Sequence, residues 1–174
     1  MRWWVSWIWL IGCVGVVGPA QATSLNELKI AVRVFDFLSE PPHGKMPLAV
    51  IYDGQSKASQ EDAMALERWI NSGVTSLRAQ LVPTVIDAAH LDQGSPLHLA
   101  IIADGSGARY AALSDYARRN HMVTVSADPT CLAQGACSVG VATSPRIEVV
   151  VNRSVAEACG IEFSEAFRMM VREY

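Results

Sequence analysis

The chain has 174 residues, 18% of them charged, and a formal net charge of −3 at pH 7. This length has room for one domain once processing is allowed for. A mildly acidic balance without a basic run argues against nucleic acid and against electrostatic binding to a membrane surface.

The amino end has the three parts of a secretory signal peptide. Arg2 supplies a positive charge, a tryptophan-rich apolar run follows, and Ala20-Gln21-Ala22 fits the A-x-A cleavage pattern. The alternative is a single-pass membrane anchor, but the apolar run is short for crossing a hydrocarbon core of about 30 Å. We therefore expect a signal peptide at residues 1–22 and an exported, periplasmic domain at residues 23–174.

A lipidation signal overlaps this leader. Leu10-Ile11-Gly12-Cys13 fits a bacterial lipobox, in which Cys13 would be lipidated and become the first residue. Such a cut would leave a very short apolar region, so the A-x-A site and a soluble product are favoured. Lipidation of Cys13 is the alternative, and it would attach the protein directly to a membrane.

The domain begins with a helix and a buried strand. Ser24 and Glu27 form a capping-box pair, which predicts a helix that ends before Pro41-Pro42. Residues 46–52 are continuously apolar, which is typical of a strand that is covered on both faces.

A second helix and strand follow. Ser59 and Asp62 are expected to cap this helix, and Asn71-Ser72-Gly73 would end it. The segment 77–86 is rich in β-forming residues and contains Pro83, which predicts an edge strand or a bend.

The centre of the chain repeats this alternation. Residues 97–103 and 121–126 predict two more core strands, with a helix over residues 108–119 between them. Ser106 is the expected N-cap of that helix, and Tyr110 and Leu113 would face the core.

The last part predicts a hairpin and a helix. Residues 138–141 and 147–151 would pair as antiparallel strands, and Asn152 would cap a helix that stops at Gly160. Strands that alternate with helices favour a parallel sheet with right-handed crossovers. The predicted fold is a single three-layer α/β domain, with a mainly parallel sheet, helices on both faces and a C-terminal antiparallel hairpin at an edge.

Three cysteines follow the leader, Cys131, Cys137 and Cys159. In an oxidising export compartment an odd count usually means one pair and one unpaired thiol. Cys131 and Cys137 flank a turn and are the natural pair, with two reduced thiols as the alternative. Cys159 lies on an apolar face, which favours a small buried residue over a reactive thiol.

Three segments of the last third of the chain resemble, in order and spacing, the YfiR family of small periplasmic proteins. These segments are Val123-Thr124-Val125-Ser126, Arg146-Ile147-Glu148-Val149-Val150-Val151-Asn152 and Ala156-Glu157-Ala158-Cys159-Gly160-Ile161-Glu162-Phe163-Ser164. The first helix departs from the family. Val34-Phe35-Asp36-Phe37 and Glu40-Pro41 stand where the family has a tyrosine-asparagine-phenylalanine signature and a Trp-Pro pair.

The resemblance implies a periplasmic location and a disulfide in the region of Cys131 and Cys137. It implies no second disulfide near Leu97-His98, because the family's cysteine is missing there. It also implies a function, since YfiR-like proteins restrain an inner-membrane diguanylate cyclase by binding its periplasmic sensor part. The expected partner is therefore an inner-membrane signalling protein, a diguanylate cyclase or a sensor kinase.

A protein that acts by docking should form a homodimer and expose an apolar patch. Phe37 and Leu38, at the end of the first helix, are candidates for this patch. Phe163, Phe167, Met169 and Met170 in the last helix are candidates too, although a helical stripe of phenylalanine and methionine is more often part of the core.

Polar residues follow three of the predicted strands. In an open parallel sheet, ligands bind past the carboxyl ends of the strands. The candidate ligand-binding residues are Asp53, Gly54, Asp104, Gly105, Ser106 and Asp128. The alternative is that they only cap helices and form turns. As ligand residues, they support a second hypothesis, a small-molecule-binding periplasmic protein that resembles a reduced type I substrate-binding domain.

The sequence contains no strong catalytic or metal-binding pattern. Ser106 lacks the first glycine of a nucleophile elbow, and Gly105 and Gly107 form only a fragment of a dinucleotide fingerprint. The four histidines share no ligand spacing. We therefore expect no metal, no cofactor and no enzymatic activity. A divergent hydrolase that uses Asp104 and Ser106 is the weakest hypothesis.

Overall fold

The computed structural model describes residues 22–173. In this range the strands are β1 (Gly44–Tyr52), β2 (Ala79–Asp87), β3 (Leu99–Ile102), β4 (Val123–Ser126), β5 (Val139–Ala142), β6 (Glu148–Val151) and β7 (Arg172–Glu173). The α-helices are α1 (Leu25–Val34), α2 (Lys57–Asn71), α3 (Tyr110–Asn120), α4 (Pro129–Ala133), α5 (Arg153–Ala158) and α6 (Glu165–Met170). None of these helices is long and apolar enough to cross a membrane. The predicted leader up to residue 21, with the lipidation of Cys13, lies outside the described residues.

The strands form one sheet in the order β2-β1-β3-β4-β5-β6-β7. Neighbouring strands are parallel except β5 and β6, which are antiparallel. Because β2 and β4 lie on opposite sides of the β1–β3 pair, right-handed crossovers place α2 and α3 on opposite faces of the sheet. The predicted fold class is confirmed: a single α/β domain with a mainly parallel sheet and a C-terminal antiparallel pair.

The sequence predicts one edge strand of the sheet correctly and the other incorrectly. β2 forms one edge, as the presence of Pro83 predicts. The expected edge position of the closing hairpin is wrong, because β7 pairs in parallel with β6 and lies outside it. β7 has only two residues, so it is too short to show a pattern in the sequence.

The centre of the sheet is buried on both faces. All four residues of β3 and all four of β4 are buried, and so are residues 48–51 of β1. This explains why β3 and residues 48–51 of β1 are continuously apolar and do not alternate. The polar members of β4 are satisfied, since Thr124 donates to the carbonyl oxygen of Ala136 and Ser126 to that of Ile102.

Two of the predicted helix caps are confirmed. The oxygen Ser24 Oγ accepts from the backbone N–H of Glu27 at 3.2 Å, and Glu27 Oε2 accepts from the backbone N–H of Ser24 at 2.8 Å. Asn152 Oδ1 accepts from the backbone N–H of Val155 and caps α5.

The other N-cap predictions are wrong, although α2 ends at Asn71 as predicted. Ser56 caps α2, whereas Ser59 and Asp62 lie inside the helix and are buried. Ser106 makes no capping hydrogen bond, because a short 3₁₀ turn at Gly107–Arg109 precedes α3. In all three cases the polar side chain forms a tertiary hydrogen bond, and local sequence patterns do not report such bonds.

Cys131 in α4 and Cys137 before β5 form a disulfide, as predicted, with their Cα atoms 5.4 Å apart. Cys159 is free and fully buried, and burial raises the pKa of its thiol. This environment suits the predicted role as a packing residue, because only a thiolate is strongly reactive.

Candidate functional site

The carboxyl ends of β1, β3 and β4 lie side by side at one edge of the sheet. In the register Ile51 pairs with Ile102, and Ile102 pairs with Ser126. The polar segments that follow these strands therefore start at the same level, which is where ligands bind in open α/β sheets.

A cleft of about 850 Å³ opens at this edge, between the ends of β3 and β4, the start of α1 and the β5–β6 loop. We call it the acidic cleft, because three carboxylates and no lysine, arginine or histidine line it within the described residues. Its lining residues are Ala22, Ser24, Glu27, Asp104, Gly105, Gly107, Ala127, Asp128, Pro129, Thr130 and Thr143.

Asp104 is half-buried in the wall of the acidic cleft. Its Oδ1 accepts from the backbone N–H of Gly105 at 2.8 Å. Burial raises the pKa of Asp104, that hydrogen bond opposes the rise, and the carboxylates of Asp128, Asp62 and Glu27 add to it. The ionised form of Asp104 is thus disfavoured by its surroundings, and a cationic group in the cleft would stabilise it.

Asp128 is held in a fixed orientation. Its Oδ1 accepts from the backbone N–H of Thr130 at 2.7 Å, which caps α4, and its Oδ2 accepts from the hydroxyl of Tyr110. Burial and the contact with Asp128 raise the pKa of Tyr110, so the phenol stays a donor. Both carboxylate oxygens are therefore positioned before any ligand arrives.

Glu27 joins the amino end of α1 to the far side of the acidic cleft. Besides its capping bond, it accepts from the hydroxyl of Thr143 in the β5–β6 loop through Oε1 at 3.3 Å. The sequence marks Glu27 as a capping residue only. Its position in the cleft depends on a contact over 116 residues, which has no local signal.

Asp53 and Gly54 belong to the predicted ligand set but do not line the acidic cleft. Asp53 is 3% exposed, and its Oδ1 accepts from the guanidinium of Arg109 at 3.0 Å. A Cβ atom at Gly54 would lie 2.0 Å from Asp87 Oδ2, so glycine is required for close packing. Both residues support the strand end, and Asp87 is a partner that the sequence does not reveal.

Ser106 is also a supporting residue. It is fully buried, its hydroxyl donates to the carbonyl oxygen of Ala103 at 2.8 Å, and it contacts the hydroxyl of Ser59 at 2.8 Å. Ser59 in turn accepts from the backbone N–H of Asp53 at 3.2 Å. Of the six candidate ligand residues, Asp104, Gly105 and Asp128 therefore line the cleft, while Asp53, Gly54 and Ser106 hold its strands together.

Asp62 lies directly behind Asp104. It is 3% exposed, and its Oδ2 accepts from the backbone N–H of Asp104 at 2.8 Å. The same carboxylate also accepts from the backbone N–H and the hydroxyl of Thr23, at 2.8 and 2.9 Å. Asp62 thus connects the start of the described chain to the end of β3, a role different from the predicted helix cap.

Within residues 22–173, no group of three or more histidine, cysteine, aspartate or glutamate side chains is arranged to hold a metal ion. The carboxylates of the acidic cleft influence each other over a distance but do not converge on one point.

The predicted apolar patch is only partly exposed: Met169 and Met170 are 79% and 67% exposed, but the phenylalanines are not. Phe167 is 3% exposed and Phe163 is 8% exposed. The ring of Phe167 lies 4.8 Å from that of Phe37 and 5.2 Å from that of Phe163, between centroids. The assignment of Phe163 and Phe167 to an interaction surface is therefore wrong, because they fasten α6 to the end of α1. Phe37 and Leu38 are partly buried against the core.

A second cleft, of about 510 Å³, lies at the opposite edge of the sheet. His98 and His121 line it, and each makes a hydrogen bond through Nδ1, to the carbonyl oxygens of Asn120 and Cys159. His121 does not begin a strand as predicted, because it ends α3 with a left-handed φ of 52°. This edge holds the amino ends of the parallel strands, so the acidic cleft is the better candidate site.

The strand order and the position of the acidic cleft define an α/β domain whose polar cleft lies at the carboxyl ends of its parallel strands. No family model matches the chain, and no curated protein matches it. Among solved structures, it is similar to an ABC domain in complex with L-Trp from Streptococcus pneumoniae, with a TM-score of 0.60 and 8% identity. It is also similar to a ligand-free, open substrate-binding protein with adhesive properties from Clostridium difficile, with a TM-score of 0.58 and 15% identity.

A conserved domain protein from Vibrio cholerae gives a TM-score of 0.56 at 13% identity. The three alignments cover 84%, 87% and 84% of this chain, but only 61%, 60% and 59% of the other chains. At such low identity the likeness establishes the α/β fold alone.

Asp104→Asn is expected to stabilise the fold at neutral pH. The pKa of Asp104 is raised in the folded state, so its stabilising contribution is complete below about pH 3.8 and is lost as the pH rises through the folded value. Asparagine keeps the bond from Gly105 and carries no charge. The melting temperature of the variant should exceed that of the wild type at neutral pH, and the difference should vanish in acid. Thermal unfolding across this range would measure it, with Glu40→Gln as the control, because Glu40 is an exposed carboxylate outside the cleft.

Proposed function

We propose that this protein is an exported small-molecule-binding protein, whose ligand presents an ammonium, amidinium or similar donor-rich group to the acidic cleft. The fold, which it shares with substrate-binding proteins, supports this proposal. The chemistry of the cleft supports it independently, because carboxylates select cations and hydrogen-bond donors.

Asp104 is the observation that carries the proposal. Its carboxylate is half-buried near three other carboxylates, and burial together with these neighbours raises its pKa, so the charged form is disfavoured in the folded protein. An asparagine would form the same bond to Gly105 without this cost. A residue that weakens the fold in this way is typical of a site whose stabilising partner is a ligand.

The rest of the cleft supports directional recognition. Asp128 is fixed by two hydrogen bonds, and the side chains of Thr130 and Thr143 lie on the lining. Pre-positioned acceptors bind donors with little loss of conformational entropy. The ligand is therefore expected to contact both Asp104 and Asp128 with its cationic end.

A matched ligand series tests the proposal. The domain at residues 23–174 would be purified, and its melting temperature measured with short diamines, basic amino acids and dicarboxylates of equal chain length. Only the cationic compounds should raise it. Asp104→Asn and Asp128→Asn should each weaken binding by about 10- to 100-fold, because a charged hydrogen bond contributes about 1.5 to 3 kcal/mol. Asp92→Asn should not change binding.

Two results would contradict the proposal. One is stabilisation by dicarboxylates but not by diamines, which would mean that the cleft does not select positive charge. The other is binding of a cationic compound that remains unchanged in both the Asp104→Asn and the Asp128→Asn proteins, which would place the ligand elsewhere.

A regulatory role remains the second proposal, and the resemblance over residues 123–164 favours it. In this role the protein, as a homodimer in the periplasm, would bind the sensor part of an inner-membrane diguanylate cyclase or sensor kinase. The two proposals are compatible, because a bound ligand could change the affinity for such a partner. Co-purification of a membrane cyclase or kinase with the protein from its own cells would support the regulatory role.

A further inference from the structure

We infer that the bond between Ala22 and Thr23 is a processing site, and that the new α-ammonium of Thr23 forms a buried ion pair with Asp62. The inference goes beyond the proposed ligand binding and rests on export with removal of the leader. It makes the processed amino terminus a structural part of the domain, positioned behind the acidic cleft.

The geometry of Thr23 is the first support. Thr23 is 5% exposed, and its backbone nitrogen lies 2.8 Å from Asp62 Oδ1. Its hydroxyl donates to the other carboxylate oxygen of Asp62 at 2.9 Å. A chain that begins at Thr23 would place its ammonium at ion-pair distance from Asp62 without any movement of the backbone. The preceding residue, Ala22, is exposed, and the A-x-A pattern ends there.

The charge of Asp62 is the second support. Its carboxylate is 3% exposed and accepts three hydrogen bonds, all from neutral donors as the chain stands. Among residues 22–173, no lysine, arginine or histidine side chain forms an ion pair with it. A buried carboxylate without a cation is costly. The ammonium at Thr23 would supply the missing positive charge.

The chemistry of processing is a hydrolysis by an export peptidase. The amide bond between the Ala22 carbonyl carbon and the Thr23 nitrogen breaks, and the oxygen of one water bonds to that carbon. Both protons of the water pass to the nitrogen. The products are a carboxylate on Ala22 and an ammonium on Thr23, so atoms and charge balance and no further co-reactant is needed.

Processing would also affect the acidic cleft. Asp62 Oδ2 accepts from the backbone N–H of Asp104, so a cation on Asp62 lies one residue behind the cleft wall. It would reduce the repulsion between Asp62 and Asp104, which contributes to the raised pKa of Asp104. Ala22 itself lines the cleft, so a retained leader would be attached at its rim. Removal of the leader would therefore stabilise the domain and remove Ala22 from the rim of the cleft.

A two-by-two comparison of thermal stability tests the inference. One form begins at Thr23, made by cutting a fusion at that bond, and the other begins at Ala20 and retains three leader residues. Each is prepared with Asp62 and with Asp62→Asn. The form that begins at Thr23 should melt at least about 4 °C higher than the extended form. Asp62→Asn should lower the melting temperature more in the processed form than in the extended one.

Glu61→Gln is the matched control, since Glu61 is the exposed neighbour of Asp62 on α2. It should have the same small effect in both forms. If Asp62→Asn prevents folding, the comparison of the two wild-type forms still decides the question. Equal melting temperatures for these forms, or an exported protein whose first residue by mass spectrometry is other than Thr23, would overturn the inference. Because the readout is stability without ligand, it is independent of the ligand series.

Discussion

Phe167→Ala is expected to reduce the free energy of unfolding by about 3 to 4 kcal/mol. Phe167 is 3% exposed and is the middle ring of the cluster with Phe37 and Phe163. Truncation of the ring would leave a cavity between α6 and the segment that follows α1. Phe37 and Phe163 would each lose their contact with the ring of Phe167. Urea denaturation of the domain at residues 23–174 would measure the change.

Met169→Ala is the matched control on the same helix. Met169 is 79% exposed, so its truncation should change stability by no more than about 0.5 kcal/mol. The pair separates a structural role from a docking role for the aromatic cluster. The opposite result would be that Phe167→Ala leaves stability unchanged but abolishes binding to a membrane partner. This result would contradict the packing role of Phe167 and indicate that the aromatic cluster is an interaction surface.

The fold was predictable because its signals are local. The continuously apolar segments that became β1 and β3 indicate buried parallel strands, and Pro83 marks the edge strand β2. The capping pair at Ser24 and Glu27 defines the start of α1. Each of these features is contained in a window of ten residues or fewer, where period and composition are sufficient to assign an element.

The candidate site was predictable only in part. Polar residues after parallel strands identify the edge at which the acidic cleft opens, and three of the six candidate residues, Asp104, Gly105 and Asp128, line that cleft. The sequence could not show that Asp53 forms an ion pair with Arg109, because that contact joins residues 56 positions apart. Tertiary contacts alone therefore decide which of these aspartates line the acidic cleft and which stabilise the strand ends.

Asp62 shows most clearly why the remainder was not predictable. Within the sequence it occupies a position near the start of a helix, where aspartate usually caps or favours the helix dipole. In the structure it is buried and accepts from Thr23 and from Asp104, 39 and 42 residues away. No helix propensity or spacing rule distinguishes these two situations.

The disulfide is expected to support the acidic cleft as well as the fold. Cys131 belongs to α4, the short helix whose N-cap is Asp128. The remaining anchors of α4 include the bond from Asn152 Nδ2 to the carbonyl oxygen of Leu132 at 3.2 Å. A helix of five residues has little stability of its own, so the covalent link to the segment before β5 helps to hold Asp128 in position.

Replacing both Cys131 and Cys137 with alanine should therefore reduce the free energy of unfolding by about 2 kcal/mol, the value expected for a loop of this size. Reductant should lower the stability of the wild type by a similar amount. The double variant is the control, because its stability should not change with reductant. Both changes should also weaken any ligand that depends on Asp128. Denaturation curves that are the same with and without reductant would mean that the bond does not stabilise the domain, and the position of Asp128 would then depend on the hydrogen bonds of α4 alone.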